Sequence, residues 1–119
     1  MILNKRETGS KYESMVCEYL TDHGYTVTDR NFHSKYGEID IIAVKNSYIC
    51  FVEVKYRKDS TKGLPQEAIN PLKIKKICKT SAYYVYSHPE YSGLQIRFDV
   101  ASILGEDITY YENAFDYVG

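Results

Sequence analysis

The chain has 119 residues, 44% of them hydrophobic and 26% charged, with a formal net charge of −1. That size suits one domain around one core, and the balance excludes a disordered or fibrous chain. No apolar run approaches the ~18 residues of a membrane span, and "MILNKRETGS" lacks the apolar centre of a secretory signal, so we expect a cytoplasmic single domain over residues 1–119, with 1–8 as a flexible lead-in.

Taken in chain order, Ser10 to His23 reads as the first helix. Tyr12, Met15, Val16, Tyr19 and Leu20 recur at i, i+3, i+4, i+7 and i+8, and Gly24 supplies a C-terminal stop. "YTVTDRN" (25–31) is a short β-rich run. "GEIDIIAVKNSYICFVEVKY" (37–56) holds two strands around a tight polar turn. "RKDSTKG" (57–63) is a polar loop. Pro71 opens a second helix. Its apolar face is Ile74, Ile77, Cys78, Ser81, Ala82 and Val85, and it ends near His88-Pro89. "LQIRFDVASIL" (94–104) alternates Leu94, Ile96, Phe98 and Val100 as a strand should, and "DITYYENAF" (107–115) is an edge strand or tail. The order α-β-β-β-α-β-β predicts an α/β fold: a mixed sheet of four to five strands flanked by helices. The first three strands form an antiparallel meander. The segment 48–104 is a strand–helix–strand crossover with a parallel pair.

Charge is segregated along the chain. Lys55 to Lys79 contains eight basic and two acidic residues, a net +6 against −7 for the remainder. The bases are Lys55, Arg57, Lys58, Lys62, Lys73, Lys75, Lys76 and Lys79. A basic segment beside a carboxylate cluster suggests a polyanionic partner, whereas a solvated helix face and loop would suggest none.

The carboxylates belong to the central hairpin. Asn46-Ser47 is its most turn-like pair. With those two residues as the loop, Lys45 faces Tyr48, Asp40 lies opposite Glu53, and Glu38 lies opposite Lys55. Opposed side chains share a face, with Cβ atoms ~4.5–5.5 Å apart. Two facing carboxylates repel unless a proton or cation lies between them. Magnesium or manganese suits that need, because a hard cation takes one or two carboxylates and several waters. The competing explanation is a cross-strand salt-bridge ladder, Glu38–Lys55 with a diagonal Asp40–Lys55. Against it, the flanking residues are apolar and the acids outnumber the single lysine on that face.

Other constellations are weak. Cys17, Cys50 and Cys78 make no C-x-x-C pair, and His23, His33 and His88 have no metal-ligand spacing, so buried free thiols and no zinc site are expected. Arg97 and Asp99 share a strand face as a structural ion pair. The 13 tyrosines serve packing and sheet propensity, with base stacking as the alternative.

Asp40, twelve intervening residues and Glu53-Val54-Lys55 match the D…(D/E)-x-K core of restriction-endonuclease-like nucleases. Across the chain, "GSKYESMVCEYLTDHGYTV", "RNFHSKYGEIDIIA", "FVEVKYRKDSTKG", "LKIKKI", "IRFDV" and "NAF" resemble, in that order, the bacterial YraN family from about residue 9 to 115. That family is functionally uncharacterised and is grouped with the PD-(D/E)-x-K nuclease superfamily, near archaeal Holliday-junction resolvases. "YESMVCEYL" is less alanine-rich than the family pattern, which bears on packing and not on the site.

The resemblance implies a metal-dependent nuclease acting on DNA, with branched or recombination DNA as a substrate class. Asp40 and Glu53 become metal ligands with the Val54 carbonyl as a third, and Lys55 orients or deprotonates the attacking water. Glu13 matches an accessory acid on the first helix, yet Ser10-x-x-Glu13 is equally a capping box. Glu38 orients Lys55 or merely pairs with it. Arg57, Lys58, Lys62, Lys73 and Lys76 are the phosphate-contact candidates. Resolvase-like relatives pair as dimers, which extends a homodimer to this chain by analogy. The alternatives to a nuclease are a non-catalytic nucleic-acid-binding module on the same scaffold and a purely structural adaptor.

Overall fold

A computed structural model describes residues 5–57 and 70–118, and side chains from residue 10 onward within them. The elements are α1 (Lys5–Asp22), β1 (Thr26–Ser34), β2 (Gly37–Lys45), β3 (Tyr48–Arg57), α2 (Pro71–Ser87), β4 (Gln95–Leu104) and β5 (Asp107–Phe115), with a 3-10 turn at Pro89–Tyr91. The five strands form one sheet in the order β1-β2-β3-β4-β5. β3 and β4 run parallel and every other neighbouring pair is antiparallel. The mixed α/β sheet flanked by two helices is the architecture expected above, and β5 is an edge strand.

Each helix covers one face of the sheet. Val16 and Leu20 of α1 pack with Ile41, Ala43, Cys50, Val52, Ala101 and Ile103. Ile77, Cys78 and Tyr84 of α2 pack with Ile42, Ile49, Phe51 and Phe98. Odd and even positions of the middle strands therefore enter different cores. This explains why "IIAV", "YICFV" and "VASI" are continuous apolar runs: strands buried on both faces have no polar side. β4 departs from the expected alternation for this reason. Phe98 through Ile103 are all buried, while Ile96, nearer the sheet's end, is exposed. Burying each Leu, Ile, Val or Phe contributes roughly 1.5–3 kcal/mol, so these two layers fix the sheet that carries the polar groups.

α1 begins at Lys5 and not at Ser10. Its first turn, Lys5 to Gly9, carries no apolar residue, so periodicity gives no sign of it. Of the flexible lead-in expected at 1–8, residues 1–4 lie outside the described residues and 5–8 belong to α1. Gly24, at φ 87°, ends the helix in the left-handed region that glycine occupies without penalty. The Tyr25 amide returns to the Leu20 carbonyl at 2.9 Å. α2 starts where expected. The Asn70 side chain accepts from the Lys73 amide at 2.8 Å, and Pro71 follows. Its buried face includes Thr80 and Tyr84, while Ala82 is exposed. The reason is the Tyr84 hydroxyl, which reaches Asp29 and Thr28 on β1 and so rotates the helix toward that strand. Cys50 and Cys78 are buried free thiols and Cys17 is half-buried. Among the described residues no helix is long and apolar enough to cross a membrane.

Candidate active site

The site lies where β2 and β3 separate. Their ladder runs from Lys45 opposite Tyr48 to Ile41 opposite Val52, so the two-residue Asn46-Ser47 loop and its register hold along the hairpin. Asn46, at φ 54°, adopts the left-handed conformation that such a loop requires. One step beyond Ile41 the ladder stops. The Val54 N–H donates to Asp40 Oδ2 at 2.9 Å. The register would set Ile39 opposite Val54, so a carboxylate has replaced a strand carbonyl as the acceptor.

The separation has a local cause. Ile41 packs in the α1 core and Ile39 in the α2 core, although they are two residues apart. On β1 the same reversal occurs across Asn31, which has φ 51°. Arg30 donates to the Ser10 carbonyl and to Ser14 Oγ of α1, at 3.3 and 3.1 Å. Phe32 instead meets Tyr84 of α2, with ring centroids 5.0 Å apart. Asn31 and Asp40 lie between the paired positions Arg30–Ile41 and Phe32–Ile39. Both strands thus turn over together, and Asn tolerates the positive φ this demands.

Asp40 lines a cleft of about 120 Å³ with Tyr12, Glu13, Val54 and Tyr56. The rings of Tyr12 and Tyr56 stack at 4.0 Å and form one wall. Glu13 is 8% exposed. Because α1 starts at Lys5, Ser10 is an interior residue and not an N-cap, which removes the capping-box explanation of Glu13. Burial pushes the Asp40 carboxyl up to about 7, and the charges of Glu53 and Glu13 push the same way. The Val54 amide and Lys73 pull it back only in part.

Glu53, 5% exposed, turns toward α2. Its Oε1 meets Lys73 Nζ, and Lys55 Nζ lies 3.5 Å away. Burial lowers the Lys55 pKa, and Glu53 only partly restores it while Lys73 opposes it. Burial also acts to lower Lys73, but its hydrogen bond and charge interaction with Glu53 outweigh that and raise it. The closer contact explains why two lysines on one oxygen shift in opposite directions. Lys73 is the participant that sequence reasoning assigned elsewhere, to phosphate contact. A signal was present: a lysine in the first turn of a helix opposes the helix dipole and calls for a neighbouring anion.

The remaining candidates divide. Glu38 does not face Lys55. It lies opposite His33 on β1, and its carboxylate meets His33 Nδ1 at 3.3 Å. Because β2 and β3 have parted, the hairpin register no longer governs that position, and the expected Glu38–Lys55 ladder does not form. Arg57 is the half-buried last residue of β3, opposite Leu104. Lys75, Lys76 and Lys79 are exposed on α2, and Lys58 and Lys62 lie outside the described residues. Arg97 and Asp99 form an ion pair at 2.9 Å.

A hard divalent cation fits this donor set. Asp40 accepts the Val54 amide at Oδ2, and the two lysines meet Glu53 at Oε1. A strand residue points its N–H and C=O to the same side, so the Val54 carbonyl projects toward β2 beyond the end of the ladder. Among the described residues no three His, Cys, Asp or Glu side chains form a cage. Magnesium does not require one, since it keeps waters and uses one or two carboxylates.

The fold and this cluster define a small α/β domain with one carboxylate–lysine site at the parting of two strands. The model of the uncharacterised protein family UPF0102 matches residues 12–103, which include every acid and lysine of that cluster. The chain belongs to this family. It is 44% identical over 111 residues to a UPF0102 protein of Fusobacterium nucleatum, covering 93% of this chain and 92% of the relative. To a UPF0102 protein of Lachnoclostridium phytofermentans it is 41% identical over 117 residues, covering 98% and 99%. A Persephonella marina UPF0102 protein is 42% identical over 108 residues, covering 91% and 92%.

Proposed function

We propose that this chain is a divalent-metal-dependent nuclease that hydrolyses phosphodiester bonds in DNA, and that it works in the cytoplasm. The observation carrying the reading is the state of Asp40. Its carboxyl is held near neutrality by burial and two neighbouring acids, beside an open cleft, with one backbone amide as its donor. A buried acid cluster short of positive charge is arranged to receive a cation. The D…E-x-K pattern of Asp40, Glu53 and Lys55 supports the same conclusion, through its resemblance to restriction-endonuclease-like nucleases.

Asp40, Glu53 and the Val54 carbonyl would hold magnesium or manganese, with Glu13 accessory. A bound ion of this kind lowers the pKa of its water and neutralises phosphate oxygens. Lys55 supplies fixed positive charge where the pentavalent phosphorane develops its negative charge. Its lowered pKa also eases the exchange of a proton with water. Val54 fixes the orientation of Asp40 through its amide, so the acid is aimed before substrate arrives.

The test is cleavage of linear, single-stranded, flap and four-way DNA with magnesium or manganese, and with chelator. Metal-dependent cleavage is expected for at least one form. Asp40→Asn should abolish it. Lys55→Ala should abolish it without weakening metal binding. A second reading, a non-catalytic nucleic-acid-binding module, is favoured by one observation: Lys73 and Lys55 already neutralise Glu53. It expects no cleavage by the wild type and unchanged DNA affinity in Asp40→Asn.

A further inference from the structure

α2 carries four lysines and no acidic residue. Leu72, Lys76, Lys79, Tyr83 and Tyr86 fall at i, i+4, i+7, i+11 and i+14, so they form one stripe along the helix. All five are exposed, Tyr86 to 87%. The stripe is about 21 Å long at ~1.5 Å per residue. At its near end, a groove of about 380 Å³ is lined by Gly37, Lys73 and Lys76 among others, and Lys73 is the residue that meets Glu53. Gly37, at φ 152°, lies close against the helix: a Cβ there would meet Lys76 Cβ and Thr80 Oγ1 at 3.4 Å. Glu38 also lines the groove, and its carboxylate meets His33 Nδ1 at 3.3 Å. At the far end, a shallow depression of about 580 Å³ is lined by Tyr36, Tyr83, Tyr86, Tyr117, Lys79 and Ala82. The rings of Tyr36 and Tyr83 meet edge to face at 6.2 Å.

We propose that this stripe is a track for a single-stranded nucleic-acid segment leading away from the carboxylate site, with Lys76 and Lys79 on phosphates and the tyrosine cluster stacking bases. The inference rests on the nucleic-acid reading of the site and adds the form of the substrate: a strand already unpaired next to the scissile bond. Charge and chemistry select this occupant. Among the described residues this face offers exposed lysines and tyrosine rings, and the acid that lines it, Glu38, is paired with His33; that matches a polyanion that has flat apolar faces of its own. A second copy of the chain suits it poorly, since a two-fold contact would set α2's lysines against their own equivalents.

The test is fluorescence anisotropy of a labelled oligothymidine of about 16 nucleotides, the upper range of single-strand site sizes. It is run in chelator, so that binding is read apart from cleavage. Tyr86→Ala should weaken binding about tenfold, the scale of one lost base stack, with the salt slope unchanged. Lys76→Gln with Lys79→Gln should reduce the slope of log affinity against log salt by about 1.4, at ~0.7 per single-strand phosphate. Tyr86 is so exposed that its loss leaves the core intact, which a matched urea midpoint confirms. Wild-type affinity retained by Tyr86→Ala overturns the track, as does a dimer in sedimentation that Tyr86→Ala dissociates. If the track fails while magnesium-dependent cleavage persists, the nuclease reading stands without it. Tyr86-dependent binding without any cleavage upholds the track and removes the nuclease.

Discussion

Two acids in the same sheet, the fully buried Asp99 and the half-buried Asp40, show how differently a carboxylate can be accommodated. Asp99 on β4 is fully buried. It accepts from Arg97 Nε and Nη2, both at 2.9 Å, from the Tyr110 hydroxyl at 2.6 Å and from the Asn113 amide at 2.9 Å. Arg97 in turn donates to the Tyr25 hydroxyl at 2.6 Å. The Arg97 pKa is raised, because the Asp99 hydrogen bond and charge outweigh burial. The Asp99 charge is met directly by its opposite in Arg97. Asp40 on β2 has one amide donor and two acidic neighbours. Asp99 belongs to a closed network that fixes β4 against β5. Asp40 belongs to an open one, in which acidic neighbours outweigh its single amide donor and the charge of Lys73. Burial alone does not single out a carboxylate as a candidate site; a shortage of compensating charge does.

Breaking the closed network should have the larger effect on the fold. Asp99→Ala leaves the Arg97 guanidinium buried without its counter-charge, and removing one partner of a buried pair costs about 3–5 kcal/mol. Urea unfolding of the variant should therefore show a much lower midpoint with an unchanged slope. A loss under about 1 kcal/mol, the scale of an exposed pair, would mean that water reaches Arg97 and that the contrast with Asp40 is weaker than the burial indicates.

The open site should respond in the opposite sense. The Asp40 carboxyl is raised from 3.8 to about 7 in the folded chain. Between those pH values the folded protein holds a proton that the unfolded chain has released, so stability falls as pH rises through this window. Asp40→Asn cannot ionise. Without metal it should be at least as stable as the wild type at pH 8, and the decline contributed by this group between about pH 4 and 7 should disappear. Thermal unfolding across that range in chelator measures both. A variant that is less stable than wild type at pH 8 would show that the charged form of Asp40, through its Val54 bond, stabilises the fold after all.

The same contrast explains how far the sequence could be read. The hairpin register follows from local chemistry: Asn46-Ser47 makes the turn, and apolar residues continue on both sides. The Arg97–Asp99 pair follows from period two on a strand that stays regular there. Period two fails at Asp40, because β1 and β2 reverse their facing at Asn31 and Asp40. Nothing in "EIDII" announces that reversal; it is decided by which helix Ile39 and Phe32 can reach. The partner of Glu53 was hidden for a related reason. Lys73 lies twenty residues further along the chain and arrives through the packing of α2, a contact no strand rule contains. The 13 tyrosines read from sequence only as a composition, and their grouping on one side of α2 depends on where Tyr36 and Tyr117 are carried by the turn and tail.

The smallest effect on stability, and the sharpest on the comparison, belongs to Lys73. Its side chain is 41% exposed, so its pair with Glu53 is partly screened by water and salt. Lys73→Met should cost under about 1 kcal/mol, the range of exposed pairs, because Lys55 remains 3.5 Å from Glu53. Its effect on cation binding should be larger. Lys73 occupies Glu53 Oε1 and places a positive charge where a divalent ion would approach. Without it the site is one unit more negative, and Glu53 Oε1 keeps only the longer contact with Lys55. Magnesium or manganese affinity by calorimetry should then rise about tenfold, the scale of a unit charge a few ångströms away in a partly wet site. The gain should shrink as salt is added, since the affected charges lie near solvent. If affinity falls instead, Lys73 is holding Glu53 in the orientation the ion uses. The cluster would then resemble the Arg97–Asp99 network more than its acids suggest, with the lysine as a fixed part of the site rather than the cation's competitor.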